Sequence, residues 1–169
     1  ADGTMPFRQN NDMFYLSGVD QEESILVIFP NAKGENHREL LFLKETNEEI
    51  AIWEGEKLTK EKALEISGIR TVYWLDEFEK VFPQLMAETD TVYLNSNIHA
   101  RATVEVETRD ARFAIWCKKT YSAHTYENAA PFMHKLRAIK SVDEIKQIQI
   151  ACDITEKGLR RVLEICKPG

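Results

Sequence analysis

Cysteine is scarce and odd in number. Cys117, Cys152 and Cys166 are the three in the chain, and no pair has C-x-x-C spacing. An odd number without that spacing points to neither a disulfide framework nor a zinc knuckle. Each sits among apolar neighbours in a helical pattern, so all three are expected to be small buried hydrophobes. A reducing cytoplasm fits this usage. Glycine is scarce as well, with seven residues. No G-x-x-x-x-G-K-S/T, G-x-G-x-x-G or G-x-S-x-G motif occurs, so no phosphate-cradling loop or nucleophile elbow is expected. His37, His99, His124 and His134 include no H-E-x-x-H and no paired metal spacing. No apolar run approaches the roughly 20 residues of a membrane span. No basic-then-apolar signal peptide opens the chain. Positive charge is in deficit: 22 basic residues face 28 acidic ones, for a net charge of −6. Nucleic acid and anionic membranes both call for a basic face, so neither is expected as a partner.

What is present is ordinary soluble globular material. The 169 residues are 43% hydrophobic and 30% charged. This is enough for one domain with a real core, with or without an appendage. The organising stretch is Phe7 to Pro30. Its two apolar runs, Met13–Leu16 and Ile25–Phe29, read as strands joined by a polar connection at Ser17–Ser24. Ile25–Phe29 is apolar at every position, which predicts a strand covered on both faces in the middle of a sheet. Residues 31–36 read as a hairpin turn and Glu39–Leu43 as the next strand. Thr46–Glu49 reads as a turn and Ile50–Trp53 as a fourth strand. Ile25 to Trp53 is thus predicted to be an antiparallel meander.

Alternation of helix and strand follows. Thr59 caps a helix that Gly68 ends. Arg70–Trp74 is a strand. Asp76 is expected to cap a helix from Glu77 to Ala87, which Pro83 should end or kink. Thr91–Leu94 is a strand. Thr103–Glu107 alternates like another, whereas Arg109–Lys119 is helical, with Phe113, Trp116 and Cys117 sharing a face. Tyr121–Asn128 is polar and reads as a loop. Ala129–Arg137 reads as a short helix with Pro131 in its first turn. Ser141 begins the clearest helix, with the capping box Ser141-Val142-Asp143-Glu144. Its apolar stripe recurs from Val142 through Ile145, Ile148, Cys152, Leu159 and Val162 until Pro168-Gly169 stops it. At about 1.5 Å per residue this helix spans roughly 39 Å, long for one face of a small domain.

Three stretches carry a resemblance. FRQNNDMFYLSG at Phe7–Gly18, IAIWEGEKL at Ile50–Leu58, and LRAIKSVDEIKQIQIACDIT from Leu136 onward resemble the N-terminal domain of the aminopeptidase P (Xaa-Pro aminopeptidase) family. Prolidase and creatinase share that two-domain layout, and the first two stretches favour aminopeptidase P. The resemblance implies a ribonuclease-H-like α/β fold, in which a mixed sheet of five or six strands is flanked by helices and followed by a long C-terminal connecting helix. It implies a division at residue 140. Residues 1–140 would form the N-terminal domain, with its first helix and strand missing. Residues 141–169 would connect to a catalytic domain that lies downstream. The second half of that helix would then carry an apolar stripe without its partner.

The functional expectations follow from the resemblance. The parent enzyme would be a cytoplasmic, manganese-dependent homo-oligomer that removes the residue preceding an N-terminal X-Pro bond. Two Mn2+ ions would be held by aspartates, a histidine and glutamates of the downstream domain. No metal or catalytic residue therefore carries over to this chain. By its residues alone Trp53 projects from the end of the fourth strand and reads as a core or rim tryptophan; the resemblance carries it over, alone, as a residue that helps shape the substrate pocket of a neighbouring subunit. The partners would be the chain's own catalytic domain, a second subunit and proline-containing peptides. The acidic runs Asp20–Glu23 and Glu45–Glu49 read as solvated turns. Arg8, Asp12 and Tyr15 read as structural. A different class stays open: a peptide- or protein-binding module on the same scaffold with no catalytic partner, as among histone chaperones. The acidic balance permits a basic partner for it.

Overall fold

The computed structural model describes residues 7–95 and 106–167. The first element is a helix, not the predicted strand. The Asn10 side-chain carbonyl accepts from the backbone N–H of Asp12 (2.9 Å) and Met13 (3.2 Å) and so caps α1 (Asn11–Ser17). Gly18, at φ 68°, ends α1 in the left-handed conformation. A short apolar run reads equally well as helix or strand. Here the flanking Asn and Gly decide.

Strand β1 (Ile25–Ile28) pairs antiparallel with β2 (Glu39–Leu43), with Ile25 opposite Phe42 and Ile28 opposite Glu39. The hairpin connection holds a single 3-10 turn, Glu35–His37. The meander stops there. Ile50–Trp53 lies within helix α2 (Glu48–Glu54), where Asn47 accepts from the Ile50 N–H at 2.8 Å. Turns and helix N-caps draw on the same residue types, so Thr46-Asn47 read as a turn. Helix α3 (Lys60–Ser67) follows, with Thr59 as its cap and Gly68 as its stop, as predicted. The chain then returns as β3 (Thr71–Trp74), which pairs parallel with β2, Leu40 opposite Thr71. A parallel return of this kind needs a helical crossover, and α2 and α3 supply it.

The strand covered on both faces is therefore β2. Leu40, Leu41, Phe42 and Leu43 are fully buried. β1 lies at the edge of the three-stranded sheet, and Ile28 is 51% exposed. Successive side chains of β2 point to opposite faces. Leu40 and Phe42 pack with Phe78, Phe82, Leu85, Met86 and Cys117. Leu41 and Leu43 pack with Val19, Ala63 and Ile69. The first face is rich in aromatics. Phe42 stacks on Tyr73 at 5.5 Å and meets the edge of Phe78 at 5.1 Å between ring centroids.

Beyond β3 a 3-10 turn, Leu75–Glu77, leads into α4 (Phe78–Met86). Asp76 does not cap α4 as predicted: the N-cap position of α4 is Glu77, without a side-chain cap, and the Glu77 carboxylate instead accepts from the Trp74 N–H at 2.8 Å and closes the 3-10 turn. Pro83 lies inside α4, which ends three residues later. Strand β4 (Thr91–Leu94) pairs parallel with β5 (Thr125–Asn128), and α5 (Arg109–Thr120) lies between them in the chain. β5 falls where a loop was predicted, because Thr-Tyr-Glu-Asn is polar. Its one inward residue, Tyr126, places its hydroxyl 2.8 Å from the Cys117 carbonyl and 2.9 Å from that of Tyr121. α6 (Ala130–Ala138) has Pro131 at its start.

Ser141 caps α7 (Val142–Ile165) through the predicted capping box, accepting from the Glu144 N–H at 3.2 Å. The Glu144 carboxylate accepts from the Ser141 N–H at 2.7 Å. The architecture is mixed α/β, with helices flanking the sheet and a long terminal helix. The five described strands form two small sheets, of three and two strands, where one sheet was expected. The predicted loop at residues 1–6, most of the alternation at Thr103–Glu107, His99 and the stop at Pro168-Gly169 fall outside the described residues.

Phe42→Ala removes the largest fully buried side chain. It is expected to cost about 3–5 kcal/mol in denaturant unfolding, the usual range for a buried phenylalanine.

Candidate functional site

Helix α2 is built unlike its neighbours. None of its residues is buried. Ile52 is 78% exposed and Trp53 is 89% exposed. Trp53 thus projects from a helix near its C-terminal end, not from a strand end as predicted. A tryptophan so bare contributes almost nothing to the core.

Ion pairs grip the C-terminal end of this helix, whose Ile50 and Ala51 are only half-buried. Lys44, just past β2, donates to the Glu54 carboxylate at 2.5 Å. Lys57 donates to Glu22 and lies 3.7 Å from Glu54. The Lys57 side chain is only 5% exposed. Beside it, the buried Gln21 carboxamide oxygen accepts from the Leu58 N–H at 2.7 Å. The turn Asp20–Glu23 therefore does more than meet solvent: Glu22 takes Lys57, and Glu23 lies 3.5 Å from Arg109. Sequence reasoning missed these roles because both basic partners are distant in the chain. The hydrogen bond from Lys44 holds the Glu54 carboxyl below its usual range and raises the Lys44 ammonium. That from Lys57 lowers Glu22. The carboxylates are lowered by pairing, so their contribution is present above the ordinary carboxylate pKa. It is lost as pH falls through their lowered values. The Lys44 contribution is lost only as pH rises through its raised value.

The other residues singled out from sequence are joiners. Asp12 accepts from Arg137 at 2.5 Å and ties α1 to α6, while the Arg137 guanidinium lies 5.9 Å from the Tyr15 ring centre. Arg8 is exposed. His124 lies 2.9 Å from the Met86 carbonyl, a structural contact. Cys117 is buried as predicted, and burial pushes its thiol up to about 11, which keeps it protonated. Cys152 and Cys166 are exposed, contrary to expectation: none of the residues of α7 is buried, and Cys166 lies at its C-cap. Among the described residues no group of three His, Cys, Asp or Glu side chains stands ready to hold a metal ion. No described helix is long and apolar enough to cross a membrane.

Two apolar surfaces complete the picture. A cavity of about 570 Å3 opens between β1, β4, α1, α5 and α6, floored by Ile25, Leu94, Phe113 and Met133. The outer stripe of α7 leaves Val142, Ile145, Ile148, Leu159 and Val162 half or more exposed.

Residues 1–93 match the family model described as "Aminopeptidase P, N-terminal domain". The chain belongs to that family. It is 29% identical over 170 residues to the Xaa-Pro aminopeptidase of Escherichia coli, covering 100% of this chain and 38% of that protein. The solved aminopeptidase P from E. coli in its low pH form superposes with a TM-score of 0.73 at 27% identity, over 100% of this chain and 38% of that one. Proline aminopeptidase P II from Yersinia pestis gives 0.75 at 26% identity, over 100% and 39%. The chain thus spans well under half the length of these relatives. As a member of this family it carries the N-terminal fold, with IWEG placed on α2 and SVDE at the start of α7.

Trp53→Ala is expected to leave stability within about 0.5 kcal/mol of the parent in denaturant unfolding, as for surface substitutions generally. A cost above about 2 kcal/mol would show that the indole packs in solution.

Proposed function

We propose that this chain is the non-catalytic N-terminal domain of a cytoplasmic, manganese-dependent Xaa-Pro aminopeptidase. On this reading residues 1–140 serve assembly and substrate access. Residues 141–169 connect to a catalytic domain, which covers the apolar stripe of α7. The observation that carries the reading is that stripe. A 24-residue helix with no buried residue continues a chain that spans 38% of the E. coli Xaa-Pro aminopeptidase. A stripe of this length left in water is a docking face.

The reaction would be hydrolysis of the peptide bond preceding proline at a peptide N-terminus. Two Mn2+ ions would activate the attacking water and polarise the scissile carbonyl. On this reading the residues that would hold those ions, and the hydrolytic step, belong to the downstream domain. The part of this chain is to bind and orient. Trp53 would border the substrate pocket of a second subunit, where its exposed indole offers a flat apolar wall to a proline ring.

The assay is release of the first residue from an X-Pro peptide with Mn2+ present. The full-length protein should cleave and the 169-residue chain should not. Trp53→Ala in the full-length protein should raise KM about tenfold with kcat little changed, the size expected for an aromatic contact worth about 1.4 kcal/mol. Robust cleavage by the 169-residue chain alone would overturn the reading. A full-length protein that binds such peptides without cleaving them would favour a binding module.

A further inference from the structure

Helix α2 lacks what usually fixes a helix. It has seven residues, too few for independent stability in water. It buries none of them fully, and its inward side is limited to the half-buried Ile50 and Ala51, so little hydrophobic contact sets its orientation. Its N-terminal end is capped by Asn47, whose side chain accepts from the Ile50 N–H at 2.8 Å and closes the first turn. The anchoring lies at its other end. Glu54, the last helical residue and the neighbour of Trp53, receives Lys44 from the end of β2 at 2.5 Å and faces Lys57 at 3.7 Å. Lys57 in turn is held by Glu22 of the turn before β1. The four charges alternate in sign along a continuous chain: Lys44, Glu54, Lys57, Glu22. Lys57 is almost fully covered, and a covered cation holds its partners in a lower-dielectric setting than a surface pair does. Gln21 fixes the same linker by accepting from Leu58.

We propose that this four-charge chain is the positioning device for Trp53. It sets the attitude of α2 against the β-sheet, and Lys57 is its keystone. The functional consequence rests on the reading of Trp53 as a substrate-pocket wall. The positioning role stands apart from that reading. Trp53 is adjacent to Glu54, so the helix end that bears the indole is the end the charges grip.

The test is hydrogen exchange of the α2 amides in the full chain, read by mass spectrometry, with α3 as the internal control. Lys57→Met keeps the aliphatic stem and removes the charge. Glu54→Gln, at a half-exposed position, is the second variant and poses little risk to folding. Both are expected to speed exchange across residues 48–54 about fivefold and leave α3 unchanged. Lys57→Arg is expected to restore most of the protection. Raising salt from about 0.05 M to about 1 M should loosen α2 in the parent and have little further effect in Glu54→Gln, because screening removes the same attraction. Unchanged α2 exchange in both variants would overturn the proposal. Equal loosening of α2 and α3 would do so too, since that is global destabilisation. KM for an X-Pro peptide separates the two readings: loosened α2 with unchanged KM keeps the positioning device and removes Trp53 from the pocket.

Discussion

Strand β2 has no exposed face and no open edge. It pairs with β1 on one side and β3 on the other. Its alternating side chains feed two separate cores, Leu40 and Phe42 into one and Leu41 and Leu43 into the other. α4 and α5 cover its aromatic face, and the residues after α1 and α3 cover its aliphatic face. A one-residue slip would exchange the two sets and leave Phe42 facing the smaller cluster, so the register is strongly specified. The surfaces that bear on function lie outward from this centre: α2 beyond its C-terminal end, and α7 at the end of the chain.

Periodicity and end signals made much of this legible. Glu39–Leu43 reads as a strand because it is five residues long with four apolar positions, and it is one. Thr59 and Gly68 mark α3 at both ends, and Ser141 with Glu144 marks α7. The failures share one physical cause. Met13–Leu16 and Ile50–Trp53 are four-residue apolar runs without room to show a period. Their identity rests on Asn10 with Gly18 and Asn47 with Gly55, residue types that serve turns equally well. β5 was hidden for the opposite reason: only Tyr126 of its four residues turns inward, so no alternation shows. The edge position of β1 is a tertiary fact that its composition cannot report.

The site was less legible than the fold. Trp53 stands out in sequence because IWEG resembles its counterpart in the family, and the structure places it on an exposed helical flank. What holds it there, Lys44 and Lys57 with Glu54 and Glu22, spans 35 residues between Glu22 and Lys57 and follows no short motif. Long-range ion pairs leave no local pattern. The exposure of Cys152 and Cys166 has the same character. Their apolar neighbours are real, but the surface those neighbours would pack against is not among the described residues.

On the proposed reading this domain binds and assembles without chemistry of its own. The most direct measurement is calorimetric titration of the 169-residue chain with Mn2+. The account predicts heats of dilution alone. Two equivalents of Mn2+ bound with a Kd near 1 μM, about −8 kcal/mol, would contradict it.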